Sequence, residues 1–430
     1  MKKYLALLLV LVMVLSLAAC ASKPAETTDE PEQTTTEPAP AEETKDEEPA
    51  PAEETKEEEP TEEPADNTEY AVAMITDYGD ITDQSFNQTT YEACKAFCED
   101  NGVEFSYFKP AGDNTADRVA MIEKAVDEGY NVIVMPGYAF GGAIVEAAPE
   151  FPDVKFIALD VAKGDLLEAG VAKAGESYDY NPDNWDLEKY VDMSNVYCAI
   201  YQEELCGYMA GYAAVKLGYK SLGFLGGMAV PAVIRYGYGF VQGVDAAAAD
   251  LGLSDVTVKY VYGGQFFGDA DITAVMDTWY ANGTEVVFAC GGGIYNSAAE
   301  AAAKVGGKVI GVDVDQAAII DAYAEGMTVT SAMKGLAPTV KAILGELILN
   351  DNWAQYAGQI NTLGLVSGTD VEANYVQIPY ESTQWSDTFT KDDYAALVAA
   401  MFDGTVTVSN DTETEPTVQT ITVDYQGNIK

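Results

Sequence analysis

Acidic, amide and aromatic side chains recur where short apolar runs of this chain end, and histidine is absent throughout. The run 71–75 leads into Asp77-Tyr78-Gly79-Asp80-Ile81-Thr82-Asp83-Gln84-Ser85-Phe86-Asn87-Gln88. A run at 156–159 delivers Asp160, one at 309–312 delivers Asp313-Val314-Asp315-Gln316, and one at 328–331 leads to Lys334. Gly263-Gly264-Gln265-Phe266-Phe267-Gly268-Asp269 and Gly291-Gly292-Gly293 follow two further runs. A carboxylate accepts hydrogen bonds in pairs, which suits vicinal hydroxyls. An aromatic ring offers a flat face to a sugar or a base. Without histidine the chain holds no Ser-His-Asp triad, Cys-His pair or His-ligated zinc. The Asp77, Asp80, Asp83 spacing lacks the glycine and closing glutamate of a calcium loop, so no metal site is expected. The glycine triplet lacks both the dinucleotide and the P-loop patterns, and no cofactor is expected.

Each of these residues also has an ordinary role. Phe86 suits a core position at helical spacing. Asp160 and Asp313 suit helix N-caps after strands. Lys334 suits a solvated charge, and the three glycines suit tight strand-to-helix packing.

Chemistry at strand ends needs a scaffold that gathers those ends. Apolar runs alternate with helical patterns from about residue 70, helices at 83–100 and 338–349 among them, which predicts an α/β fold with parallel sheets. The alternation restarts near residue 196, with a strand at 196–201, a helix at 203–217 and a strand at 222–225 ending in Gly226-Gly227. That is too many units for one sheet of ordinary size, so two Rossmann-like lobes joined by a hinge are expected. We expect an N-lobe at 69–203 with about 333–352, and a C-lobe at 204–332 with about 353–430. The last segment promises a strand within 359–366, a helix at 390–401 capped by Thr390, and a strand or loose tail at 418–425.

The chain opens with Lys2 and Lys3, an apolar core at 5–17, and Leu17-Ala18-Ala19-Cys20. This layout predicts an export signal at 1–19. Its end resembles a bacterial lipobox, which implies a lipid on Cys20 and an anchor at the extracytoplasmic face of the cell membrane. Residues 20–68 are rich in Glu, Thr, Pro and Ala and repeat Pro-Ala-Glu-Glu-Thr-Lys at 40–45 and 51–56. Such composition predicts a disordered acidic tether. The chain has 430 residues and a net charge of −47, which disfavours nucleic acid as a partner. Five cysteines remain beyond Cys20, with Cys94 and Cys98 four apart on a helix, where a disulfide fits poorly, and Cys198, Cys206 and Cys290 in apolar surroundings; free buried thiols are expected, with one pairing left open.

The segment Asp77 to Gln88 is similar to the opening motif of the basic membrane protein family of substrate-binding lipoproteins. Asn195-Val196 with Glu203-Glu204 and Ala210-Gly211-Tyr212 resembles the family's middle helix. Gly223-Phe224-Leu225-Gly226-Gly227-Met228 through Pro231, Arg235, Gly239-Phe240 and Gly243 matches another block. Phe267-Gly268-Asp269, Gly291 to Gly293, Val309 to Gln316, and Thr330-Ser331 with Lys334 complete the likeness. The resemblance implies a type I periplasmic-binding fold and a receptor that passes a nucleoside, with purine as the expected base, to an ABC permease without catalysis. It implies that Phe86 and Phe267 sandwich the base, with adjacent Phe266 as an alternative for the second ring. It places Asp77, Asn87 and Asp160 on base and ribose contacts in one lobe, and Gly292, Asp313 and Lys334 near the other lobe and the hinge. The chain departs from the family in having Tyr78-Gly79-Asp80 where a Gly-Gly pair is usual. Sugar or autoinducer capture by the same fold, an extracytoplasmic nucleotide-dependent Rossmann enzyme, and an adhesin stay open as other readings.

Overall fold

The computed structural model describes residues 69–430. The expected signal segment, the lipid site Cys20 and the acidic tether therefore lie outside the described residues. Runs such as Val132–Pro136 and Val286–Cys290 are buried at every position. Strands covered on both faces in this way are the mark of parallel sheets under helices.

The first series is β1 (Ala71–Ile75), α1 (Phe86–Asn101), β2 (Glu104–Phe108), α2 (Thr115–Asp127), β3 (Val132–Pro136), α3 (Gly141–Ala147), β4 (Lys155–Leu159), α4 (Lys163–Lys173), α5 (Leu187–Tyr190) and β5 (Val196–Tyr201). The second series is α6 (Glu203–Lys216), β6 (Ser221–Gly226), α7 (Pro231–Leu251), β7 (Thr257–Tyr262), α8 (Ala270–Ala281), β8 (Val286–Cys290), α9 (Tyr295–Ala303), β9 (Lys308–Asp313), α10 (Ala317–Ile320) and β10 (Thr328–Lys334). After these come α11 (Leu336–Leu344), β11 (Ile360–Leu363), β12 (Val376–Gln377), α12 (Lys391–Phe402) and β13 (Thr422–Asn428).

One six-stranded sheet runs β11-β5-β4-β3-β1-β2, and one seven-stranded sheet runs β12-β10-β9-β8-β6-β7-β13. Every pairing is parallel except β10 with β12. Both sheets reverse strand order between their first and third core strands, at β1/β3 and at β6/β8. A crevice opens at such a reversal beyond the strand ends, where ligands bind in open α/β sheets.

Three crossings link the sheets, and they are tied to one another. Gln202, leaving β5, donates its N–H to the Leu363 carbonyl at 3.0 Å. Tyr375 donates to the Gly364 carbonyl at 3.0 Å, and Gly335, leaving β10, donates to the Tyr375 carbonyl at 2.7 Å. This bundle of backbone is where the two sheets are joined. Beside it α6 and α7 nearly touch. A Cβ on Gly207 would sit 2.2 Å from the Tyr236 carbonyl oxygen, and one on Gly239 would sit 2.1 Å from that of Glu204. Only glycine permits that approach, which sets Glu203 against Arg235.

Several boundaries differ from expectation. The stretch 353–430 does not belong wholly to the second lobe, because β11 extends the first sheet with Ile360 opposite Cys198 and Leu363 opposite Tyr201. A short, half-exposed edge strand carries no pattern that assigns it to one sheet. The helix expected at 83–100 begins at Phe86, because the Asp83 carboxylate accepts the N–H groups of Ser85, Asn87 and Gln88 at 2.9–3.0 Å and caps the turn from outside. The helix expected at 338–349 is α11 followed by a π turn at Gly345–Leu349. Helices α4 and α5 fill a region in which no helix is expected. The end of the chain is ordered as β13 beside β7, and Thr390 caps α12 with Asp393 in a reciprocal capping box. The five described cysteines are free and buried.

Candidate functional site

Strand β1 hands the chain to Asp77 at the reversal point of the first sheet. The Asp77 Oδ1 atom accepts the N–H groups of Tyr78 at 2.6 Å and Gly79 at 2.7 Å. The first turn of α1, anchored by Asp83, presents Phe86 and Asn87. Asn87 Nδ2 donates toward Asp83 Oδ2 at 3.2 Å and Asp77 Oδ1 at 3.4 Å. The Asn87 Oδ1 atom is buried without a hydrogen-bond partner. Strand β4 ends on Asp160, whose φ of 61° is left-handed. Its Oδ2 accepts from Lys334 Nζ at 2.5 Å, and its Oδ1 is likewise buried without a partner.

The second sheet answers with a matching residue. Asp313, at the end of β9, has φ 64°. Left-handed non-glycine residues are uncommon and gather at functional sites. Neither aspartate caps a helix: the N-cap positions of α4 and α10 are Ala162 and Gln316. Asp313 instead accepts from Ser85 Oγ at 2.5 Å and Tyr236 OH at 3.3 Å.

The glycines have a steric purpose here. A Cβ on Gly227 would lie 2.3 Å from the Phe266 ring, one on Gly291 2.7 Å from it, and one on Gly292 2.7 Å from the Phe266 carbonyl oxygen. They seat Phe266 between β6 and β8 and bring Phe267 into a bridge with Gly293. The Phe266 ring lies 6.4 Å from that of Tyr78. Phe267 remains 54% exposed at the rim.

A cavity of about 380 Å³ lies between these strand ends. Asp77, Phe86, Asn87, Asp160, Phe267, Gly292, Asp313 and Lys334, all singled out from the sequence, line it. Such a volume suits a small molecule. Beyond the expected set, Tyr78, Tyr138, Asp165, Arg235, Tyr236 and Phe266 also line it. Glu203, Arg235 and Tyr78 sit in the motif blocks quoted above, but nothing in their spacing gives them a role at the site. Asp80, the extra carboxylate of the first motif, pairs with Lys109 at 2.9 Å on the rim.

Lys334 is not a solvated charge. Its side chain is 3% exposed and is held by Asp160, by Asp313 at 3.5 Å and by Glu203 at 3.6 Å. Its ammonium lies 4.6 Å from the centroid of the Phe86 ring, within cation–π range. Arg235 pairs with the other Glu203 oxygen at 2.6 Å. Burial alone would lower the lysine pKa, but Asp160, Asp313 and Glu203 together outweigh it and hold it above the usual range. Burial pushes the Asp160 carboxyl up to about 6, against the pull of Lys334.

Burial also pushes Asp165 up to about 7 from 3.8, and Glu204 up to about 7 from 4.5. A carboxyl whose folded pKa is raised binds its proton more tightly in the native state. Its ionisation therefore weakens the fold as pH rises from the ordinary value through the shifted one. Thermal stability should increase as pH falls from above about 7 toward 3.8, and Asp165→Asn should raise it above pH 7 and flatten the slope. Melting curves across that window check this; an unchanged slope in the variant would contradict it.

A family model described as ABC transporter substrate-binding protein PnrA-like matches residues 70–392. The chain is 27% identical over 264 residues to the "ABC transporter nucleoside-binding protein BmpA" of Lactococcus lactis, covering 58% of this chain and 65% of that protein. It thus spans just under two thirds of that relative. It is 25% identical to "Basic membrane protein B" of Borreliella burgdorferi, covering 69% of this chain and 79% of that one. Among solved structures, an ABC transporter solute-binding protein from Conexibacter woesei superposes with a TM-score of 0.57 at 21% identity, over 79% of this chain and 99% of that one. One from Aeropyrum pernix gives a TM-score of 0.57 at 19% identity, over 80% and 88%. These two likenesses identify the fold as that of periplasmic solute-binding proteins.

Proposed function

The chain belongs to the PnrA-like family of ABC transporter substrate-binding proteins, and from that premise we propose that it captures an unphosphorylated nucleoside, purine by preference, for an ABC permease. The carrying observation is the pair of buried acceptors, Asn87 Oδ1 and Asp160 Oδ1, that lack partners beside a cavity walled by Phe86 and Phe267. A buried acceptor left unmade is costly, so the ligand should supply donors to both. A heterocycle with N–H edges and a pentose with hydroxyls offers such donors and a flat face for stacking. Asp313 accepts further from the pentose. Asp77, Asp80, Asp83, Asp160, Asp165 and Asp313 outnumber the cations Lys109, Arg235 and Lys334 along the cavity wall, and this acidic balance disfavours a phosphate.

In this reading no bond is made or broken. The ligand favours a closed arrangement of the two sheets through contacts that the open one lacks. The protein would work outside the cytoplasm, tethered by lipid on Cys20. No helix among the described residues is long and apolar enough to cross a membrane.

Calorimetric titration of the purified protein with guanosine, inosine, adenosine and cytidine tests the proposal. Saturable heat is expected with the purine nucleosides, and excess ribose should leave inosine bound. Silence with all four nucleosides would reject the reading, and displacement by ribose would turn it toward a sugar receptor.

A further inference from the structure

Two hydrogen bonds join the sheets at the cleft, and their donors, Ser85 and Gln316, do not line the cavity. Ser85 Oγ donates to Asp313 Oδ2 at 2.5 Å, and Gln316 Nε2 donates to the Gln84 carbonyl at 3.0 Å. Gln84 and Ser85 precede α1 in the first lobe; Asp313 and Gln316 follow β9 in the second. Ser85, Asp313 and Gln316 are buried, so the Ser85–Asp313 bond is shielded from competing water, and the Gln316–Gln84 bond is partly so.

Both halves are set in advance by their own lobes. The Gln316 Oε1 atom accepts the Val312 N–H at 2.9 Å, and the Gln316 N–H donates to Ser331 Oγ at 3.1 Å. That fixes which end of the amide is the donor and leaves Nε2 for the other lobe. Across the cleft, the Gln84 N–H and Nε2 both donate to Gln88 Oε1, at 3.1 and 2.8 Å, and Gln84 itself has φ 58°. A left-handed conformation at a bulky residue costs energy and persists only where its surroundings impose it.

We propose that Ser85 and Gln316 are the closing latch of the receptor: positioning residues that set the open–closed balance, and through it the ligand's dwell time, by gripping the opposite lobe. This rests on the reading that the cleft closes on a ligand. The partners are asymmetric. Ser85 donates to a carboxylate and Gln316 to a neutral carbonyl, and bonds to charged groups are about twice as strong. Loss of Ser85 should therefore matter more.

The test uses the purified protein with inosine as probe and one spin label on each lobe. Ser85→Ala should raise the inosine dissociation rate at least about tenfold and Gln316→Ala about threefold. Association rates should stay within about threefold, since affinity changes of this kind reside in dissociation. Ser85→Thr keeps the hydroxyl and should restore the slow rate. Without ligand, the Ser85→Ala/Gln316→Ala double variant should show a wider interlobe distance distribution than the wild type. Unaltered distances, or an unaltered dissociation rate in Ser85→Ala, would overturn the latch. If no nucleoside binds yet the distances widen, the nucleoside reading fails and the latch stands.

Discussion

Lys334→Met is expected to destabilise the protein by about 3–5 kcal/mol, read as a lower denaturation midpoint at unchanged slope. The ammonium is the shared counter-charge of Asp160, Glu203 and Asp313 in a nearly dry position. Methionine keeps the length and the apolar stem but leaves these carboxylates facing one another with only Arg235 nearby. The sign with pH follows from the shifts. A lysine pKa raised above 10.5 contributes stability that is complete below that value and lost only as pH climbs through the shifted one. The wild type therefore keeps this contribution throughout the neutral range. In the variant Asp160 loses its partner and binds its proton more tightly, so the deficit should shrink as pH falls toward about 6 and level off below it. Adding Asp160→Asn to Lys334→Met should recover part of the loss. A single variant within about 1 kcal/mol of the wild type would mean that the cluster is solvated.

Asp313→Ala should weaken nucleoside binding by about 100-fold or more while the fold survives. The substitution removes the acceptor proposed for the pentose and the cross-cleft bond from Ser85 together, and bonds to charged groups contribute about 1.5–3 kcal/mol each. Lys334 keeps Asp160 and Glu203, so its charge stays compensated and the melting temperature should move only a few degrees. Isothermal titration beside a thermal melt separates these effects. The comparison with Ser85→Ala divides the loss further: whatever Asp313→Ala costs beyond Ser85→Ala belongs to the ligand contact. Equal losses would confine Asp313 to the latch, and unchanged affinity would remove it from the site.

Much of the site was legible because its residues follow strands. Once 71–75, 156–159 and 309–312 read as buried parallel strands, the rule that ligands bind beyond strand ends placed Asp77, Asp160 and Asp313 together. The charge state of Lys334 was not legible. Its partners Asp160 and Glu203 lie 174 and 131 positions upstream, and no periodicity links them. The N-cap reading of the two aspartates failed for a related reason. Local propensity favours a cap, but the left-handed backbone at each strand end turns the carboxylate to the cleft instead.

The sequence by itself determined most of the elements, with α4 and α5 as exceptions, because hydrophobic period, capping residues and glycine positions act within a few residues of one another. It also determined the kinds of groups offered to a ligand, since residue types at strand ends are read directly. Tertiary structure alone decided that β11 joins the first sheet, that Glu203 meets Arg235 across two glycine-lined helices, and that Ser85 reaches Asp313 from 228 positions away. The reason is physical: the energy of a charge or a buried hydrogen bond depends on distance and local dielectric, and both exist only once the chain has packed.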